Sequence, residues 1–548
     1  MIVAIICHYL IKAMKENQTK RLLVCGPTNK SVTVIAGRLF RCIREDANIN
    51  IVIIGDKDRL LAENIVELKQ SLVYTFIPTM VEQWKALSNE LSRRIISRTD
   101  FIFKSKKLET RLKRHLASFY DDNVRNLLKK VKEVAVDKNC EYPSRLDDDI
   151  RPILMAIDKL CVTFESWDER MVVLELLNSA HVIFCTLTSA GGASVKKMAP
   201  INDLIVDEAS AATEPELYIP FRLRPERLLL VGDPRQLPAA VQSKTAKSFG
   251  LTKSLQERLM NDCKFNFIML DVQYRMRPEI SKWPVSVFYG GEVQNGENVR
   301  SSDYQCSSTL LMGQPYTFLQ VEGVEQKDGV GSSFNTEECR VIVSLLHDLK
   351  LRSETSWCSI HRIRIVTFYQ AQVTALQTQL RKNGLRGGGV VVSTVDSSQG
   401  CESDIVIVSF VRGSQGRIGF LQDCRRLNVA LTRAKYQLIC VGNVHAIAKL
   451  KDTDSLKTIK ALAKDAIDRN CVSKYIPRSR PPSARAHIKN TFSDVKKRYD
   501  HGGGHRRKKI TRLEHSDGEK GDSRKRQHSE DSMRKKSWTT NGKKQTRT

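Results

Sequence analysis

The sequence predicts an α/β protein with two parallel sheets in tandem, and three observations predict it. Short apolar runs without polar alternation mark strands buried on both faces, and helical patterns separate them. The strand–helix series stops at about residue 82 and resumes at about 180. After Ser473 the composition turns to Arg, Lys, Ser, Gly and Pro, and no further core is expected.

From Met1 to about Gly55 the order is helix, strand, helix, strand: IVAIICHYLIKAM, RLLVC, SVTVIAGRLFRCI and INIVIIG. The opening MIVAIICHYLI is apolar like a signal peptide. However, no basic residues precede it and no small-residue cleavage site stands before KENQTKR, so a buried helix is expected. Between about 82 and 180, Leu108, Leu112, Leu116, Phe119 and Tyr120 recur at helical spacing among Lys, Arg and Asp, the pattern of a helical insertion or stalk. Strands resume at HVIFCTL, LIVDEA and LLLVGD. A second series follows from about 265, with RIRIVTF, GVVVSTV, DIVIVSF and YQLICVG.

At 548 residues and 41% hydrophobic, the chain can bury several cores, which excludes a small peptide-like binding module. The excess of +28 calls for a polyanionic partner, and nucleic acid is the first candidate. Residues 474 to 548 carry 23 Lys plus Arg against 8 Asp plus Glu, more than half of that excess, so a disordered basic tail is expected. Its HRRKK, RKR and RKK clusters fit nuclear import, a phosphate-binding arm, or a solvated linker whose charge only aids solubility, with nuclear localisation favoured over cytoplasmic. No 18-residue apolar run exists, so no membrane span is expected. The 14 cysteines form no CxxC pair, and the nearest metal-like spacing is Cys358 to His361. Reduced core thiols are expected in place of a zinc or iron–sulfur site.

The strongest chemical signal is LIVDEAS, an apolar strand that delivers Asp207 and Glu208 at its C-terminal end. Adjacent carboxylates there can serve Mg²⁺ and an attacking water in nucleotide triphosphate hydrolysis, although an ordinary strand end reads the same in isolation. LLLVGDPRQLPAA breaks at Gly232 and Asp233 and presents Gln236, whose amide can bond a terminal phosphate or the lytic water. Next, QYRMRPEI sets Tyr274, Arg275 and Arg277 together. VVSTVDSSQGCES offers Ser393, Thr394 and Asp396, then Gln399, Gly400 and Glu402. RRLNVALTRAK holds Arg433 beside an apolar helix, where it can reach across a cleft to a transferring phosphoryl group.

The ordered set GPTN, VDEAS, GDPRQLP, QYRMRPEI, STVDSSQG and NVALTRAK resembles superfamily 1 helicases, and FYGGEVQNG and GFLQDCRRLNVALTRAK narrow the resemblance to the Upf-one-like branch. It covers roughly residues 1 to 450. It implies two RecA-like domains, at 1–262 and 263–473, with ATP and Mg²⁺ between them and movement from 5′ to 3′ on single-stranded RNA or DNA. Asp207 would hold Mg²⁺, Glu208 would activate water, Gln236 would sense the terminal phosphate, and Arg275 and Arg433 would be fingers. Tyr274 would pack on adenine, with Glu402 and Gly400 near the ribose. Pro27, Thr28, Asn29, Thr186, Thr367, Ser393 and Thr394 would line the strand channel, with the helical insertion leaning on the nucleic acid. Ala211 stands where the family commonly has Gln, and Phe368 where it has Pro.

No GxxxxGK[ST] phosphate loop occurs in the sequence. GPTNKS is two residues too short between its Gly and Lys and lacks the preceding glycine. IVAIICHYLIKAM reads as the helix that follows such a loop, so the first domain is expected to lack its first strand and phosphate loop, and this polypeptide to bind ATP poorly. The alternative is a non-catalytic nucleic-acid-binding scaffold derived from a helicase.

Overall fold

The computed structural model describes residues 1–475 except 16–19, 44–48, 57–59, 61–71, 73–74, 94, 97, 137–145, 307–313, 353–361, 386–388, 413–418 and 452. The basic clusters of the tail and the Cys358–His361 step lie outside the described residues. The described residues all belong to one compact unit.

Strands β1 (Leu22–Gly26), β2 (Ile51–Ile54), β3 (Val182–Thr186), β4 (Asp203–Val206) and β5 (Arg227–Leu230) make a sheet in the order β2-β3-β1-β4-β5. Every pairing is parallel. Alternation along the strands builds two cores, one on each face. Leu22, Val24 and Phe184 pack with the helices Ile2–Lys15 and Asn29–Cys42, so the apolar opening segment is a helix with Ile6 and Leu10 buried.

Leu23, Val52 and Ile183 face the other way, into one core with Trp84, Phe101 and Phe164 of the inserted helices. Those helices are Phe76–Ser92, Arg98–His115, Asp122–Val136, Leu146–Glu165 and Glu169–Asn178. The insertion is therefore the covering layer of the sheet and not a projecting stalk, and its first helix begins ahead of the expected position.

The two-residue strands β6 (Val272–Gln273) and β7 (Gln294–Asn295) pair parallel. After them come β8 (Tyr316–Gln320), and β9 (Gln326–Lys327) with β10 (Ser333–Phe334), an antiparallel pair. The second sheet joins β8 to β11 (Ile363–Thr367), β12 (Val390–Thr394), β13 (Ser403–Ser409), β14 (Ala434–Gly442) and β15 (Val472–Ser473), in the order β12-β11-β13-β14-β8-β15. All its pairings are parallel. Val406, Val408, Leu438 and Cys440 fill the core on one face, and Ile405, Ile407, Ile439 and Val441 the core on the other.

One edge departs from this pattern. Every residue of β1 to β4 is buried, whereas β5 is exposed along Arg227–Leu229, with Leu228 and Leu229 each 38% exposed although they point to opposite faces. Downstream of the helix Leu255–Asn261, Phe265, Phe267, Ile268 and Leu270 are 57–92% exposed, in a segment that pairs with no strand. The second series of strands, expected from about 265, therefore does not start there. An apolar run becomes a strand only beside a partner, and among the described residues this one has none.

Candidate active site

The ends of β4 and β5 face the second sheet. The Asp207 N–H donates to the Cys25 carbonyl at 2.9 Å, which locks the residue after β4 to β1. Glu208 then turns into the left-handed region at φ 52°, an uncommon conformation for glutamate that aims its side chain away from the strand. Burial first, and the neighbouring Glu208 carboxylate second, push the Asp207 carboxyl up to about 7. Such a carboxylate gains from a cation, so Asp207 fits as one ligand of Mg²⁺. Among the described residues no cluster of three or more His, Cys, Asp or Glu could hold a metal.

Two hydrogen bonds carry this end of the first sheet to the second. Gln399 Nε2 donates to Glu208 Oε2 at 3.2 Å, and Arg433 Nη2 donates to Gln236 Oε1 at 3.3 Å. Gln236 Nε2 in turn donates to Asp233 Oδ2 at 2.9 Å, so its amide is fixed from both ends.

Arg433 is 3% exposed and also donates to the carbonyls of Val429 and Cys401. Burial, and then the Arg275 guanidinium, lower its pKa to about 10, the mark of a cation held dry and short of counter-charge. Arg275 donates to Glu402 at 3.1 Å and to the Thr432 carbonyl. Burial alone would raise the Glu402 carboxyl, but Arg275 and Lys435 outweigh it and hold it at about 2. Gly400 (φ 71°) lies against Glu208, where a Cβ would stand 3.7 Å from its Oε1. The Tyr274 ring is 64% exposed, and Gly296 leaves it room, since a Cβ there would strike the ring.

Three residues of the quoted motifs carry contacts that the sequence did not reveal. Tyr289 donates to Asp233 Oδ2 at 2.5 Å, and Asn428 donates to the Tyr289 hydroxyl at 2.9 Å and to the Arg235 carbonyl at 3.0 Å. This chain ties the end of β5 to the helix Cys424–Leu431 beside Arg433. FYGG and LNVALTRAK contain these side chains, but nothing in sequence spacing says that they meet.

Register brings most of the expected channel residues to the strand ends. Gly26 of β1 pairs with Thr186 of β3, which sets Pro27, Thr28 and Asn29 beside Thr186. GPTNKS is not a phosphate cradle. Thr28 is the N-cap of Asn29–Cys42, and Ser31 spends its hydroxyl on the Thr28 carbonyl at 2.7 Å. On the second sheet Ser393 and Thr394 are half-buried beside Thr367.

Thr367 departs from its expected place. It is fully buried and its hydroxyl has no hydrogen-bond partner, because the strand pleat turns it into the sheet, so its side chain does not line the surface. Phe368 is buried as well, its ring 5.9 Å from Phe410, so the departure from the family's Pro fills the core.

Family models described as AAA domain match residues 1–244 and 251–445. The probable helicase senataxin of Homo sapiens is 34% identical over 326 residues, 56% of this chain and 12% of that protein. The regulator of nonsense transcripts 1 of Caenorhabditis elegans is 38% identical over 283 residues, 50% and 26% respectively. Helicase SEN1 of Saccharomyces cerevisiae is 28% identical over 475 residues, 83% and 20%. The chain spans less than a third of each of these relatives. With the six motifs in order on two parallel sheets, the chain belongs to the Upf-one-like branch of the superfamily 1 helicases.

Proposed function

We propose that this chain is the motor core of an ATP-dependent helicase or translocase that moves 5′ to 3′ on single-stranded RNA or DNA. The observation that carries the reading is the pair of bonds from the second sheet to Glu208 and Gln236. A cleft so wired couples hydrolysis to the angle between the sheets, because the groups that meet the terminal phosphate come from both sides.

In this reading Glu208 takes the proton of the attacking water, held by Gln236. Arg433 and Arg275 stabilise the charge that develops on the transferring phosphoryl group. Asp207 would hold Mg²⁺, which would supply charge neutralisation at the phosphates. Tyr274 packs on adenine, and Glu402 with Gly400 lies near the ribose. Pro27, Thr28, Asn29, Thr186, Ser393 and Thr394 grip the strand, and no membrane is involved.

The cleft lacks one part, a phosphate loop. The exposed edge of β5 and the unpaired apolar segment beyond Asn261 support a place for one more parallel strand, whose C-terminal end would emerge beside Asp207 and Gln236. Without a phosphate loop the groups of this cleft would hold ATP poorly. The excess of +28 and the basic tail also fit a second reading, a scaffold that binds nucleic acid through the channel and the tail, in the nucleus or the cytoplasm.

The test uses the chain extended ahead of Met1 by an apolar strand and a GxxxxGK[ST] loop. Glu208→Gln keeps shape and removes the base, so nucleotide binding persists while turnover falls roughly 10²-fold or more. Near-normal turnover in that variant removes Glu208 from its role.

A further inference from the structure

Phe420 is the feature of the second sheet that the cleft and the strand-gripping residues leave unused. Among the described residues from Tyr274 to Tyr475, only Tyr274 and Phe420 present exposed aromatic rings, and Phe420 is 51% exposed. The structure holds this ring in place at some cost.

From below, the Tyr369 ring meets it at 5.6 Å between centroids, and the Arg426 guanidinium lies 5.1 Å from its centre. Arg412 lies over Tyr369 at 5.7 Å and grips Glu325 with two hydrogen bonds, at 2.7 and 3.0 Å. Gly419 (φ 50°) lets the chain pass, because a Cβ at that position would collide with the Arg412 guanidinium and crowd the Tyr369 hydroxyl.

The turn that delivers Arg412 is itself strained. Val411 is β-branched yet sits at φ 67°, a conformation that such residues seldom hold unless the surroundings over-determine it. The buried Glu338 supplies that restraint. Its carboxylate accepts the Val411 N–H at 2.9 and 3.0 Å and the Ser409 hydroxyl at 2.6 Å, while Asn335 Nδ2 donates to the Val411 carbonyl at 3.2 Å. Strain of this kind persists where a side chain must be aimed.

Its position indicates what the ring is aimed at. Tyr369 stands two residues after the end of β11, and Arg426 donates at 3.0 Å to Asp396, two residues after the end of β12. Thr367 and Thr394 are partners in register, so the two supports of the ring are tied to the loops that follow adjacent strand ends. Charge narrows the ligand further. Arg412 is paired with Glu325, and Arg426 with Asp396 and Asp423, so neither guanidinium is left to attract a phosphate. What remains is one open aromatic face.

We propose that Phe420 is a stacking platform for one base of a single-stranded nucleic acid, supported by Tyr369 and Arg426. Tyr369, Arg426 and Glu338 act as positioning residues, and only Phe420 touches the base. The proposal rests on the strand-binding reading above and adds a contact to it that is indifferent to sequence, since every base has a π face.

The test measures binding of short labelled single strands to the full chain. One set is intact and another carries an abasic site stepped along the strand. Wild type binds the intact strand, and an abasic site at one position weakens binding roughly tenfold, within the range that a single stacked base contributes. Phe420→Ala binds the intact strand weaker by a similar factor and loses no more at that abasic position, while Phe420→Trp restores both. Glu338→Gln, with a similar shape and weaker acceptors, gives a partial loss at the same position only.

Binding by Phe420→Ala that equals wild type overturns the platform while leaving strand binding intact. Losses that add where they should coincide overturn it as well. Adenosine monophosphate competing for the ring as well as the strand does would assign the site to free nucleotides and not to a strand. A wild-type chain that binds no strand removes the strand-binding reading, and the platform with it.

Discussion

The outer edge of the first sheet and the centre of the second are built from nearly the same kind of apolar run, yet they end in opposite states. RLLL of β5 leaves Leu228 and Leu229 each 38% exposed, whereas IVIV of β13 is fully buried. The difference lies in what stands alongside. β13 has β11 and β14 as neighbours and helices over both faces, while β5 has β4 alone. Burial is a property of the neighbourhood, and the bare edge of β5 lies next to the residues that the cleft needs. Covering an exposed Phe, Ile or Leu contributes roughly 1.5–3 kcal/mol, so a strand set between β5 and the segment of Phe265 to Leu270 would gain substantially from both sides.

The sharpest way to break this comparison is to ask whether the well-packed half supplies transition-state groups. In the chain extended by a strand and phosphate loop, Arg433→Ala should lower the maximal rate of ATP hydrolysis roughly 10³-fold, with a smaller effect on nucleotide affinity, and Arg275→Ala should do likewise. If affinity collapses while the saturated rate survives, both are substrate clamps, and the second sheet contributes binding only.

A smaller effect reads the bare edge itself. Half of the amides of Arg227–Leu230 point away from β4, so in this chain they should exchange with solvent far faster than those of Ser403–Ser409. Adding the strand should protect them. Equal protection of the two segments before any strand is added would mean that the β5 edge is already covered, and the comparison would fall.

Much of this was legible in the sequence, and the missing parts have physical reasons. Continuous apolar runs gave β1, β3, β4, β11, β13 and β14, because a strand buried on both faces must be apolar throughout. The run FNFIML shows the limit of such reading, because it is as apolar as a strand yet pairs with none among the described residues, and pairing is not encoded locally. The insertion's charged helices suggested a stalk, yet Leu112, Leu116 and Ile157 mark the face that seals the sheet. Asp207, Glu208, Gln236, Arg275 and Arg433 stood in motifs and converge in space. The chain Asp233–Tyr289–Asn428 was hidden because its hydroxyl and amide meet across 139 residues, and hydrogen bonding of that range has no spacing signature. Thr367 misled because a threonine at a strand end can face outward or inward, and only the pleat decides.

The smallest expected effect concerns the basic tail. Deleting residues 474 to 548 should weaken affinity for single strands of any sequence and flatten the dependence of log K on log salt by roughly 0.7 for each phosphate contact removed. An unchanged slope would place the strand on the folded unit alone and leave nuclear import as the tail's role, and a tagged full chain that stays cytoplasmic would remove that role as well.

The account's central claim is that the cleft is complete except for its phosphate loop, and strand-stimulated ATP turnover tests it most directly, measured side by side on this chain and on the chain extended by an apolar strand and a GxxxxGK[ST] loop. The account predicts no turnover from this chain, and turnover from the extended one that rises when single-stranded RNA or DNA is added. Strand-stimulated hydrolysis by this chain alone, or a well-folded extended chain that binds strand and stays inert, would contradict it.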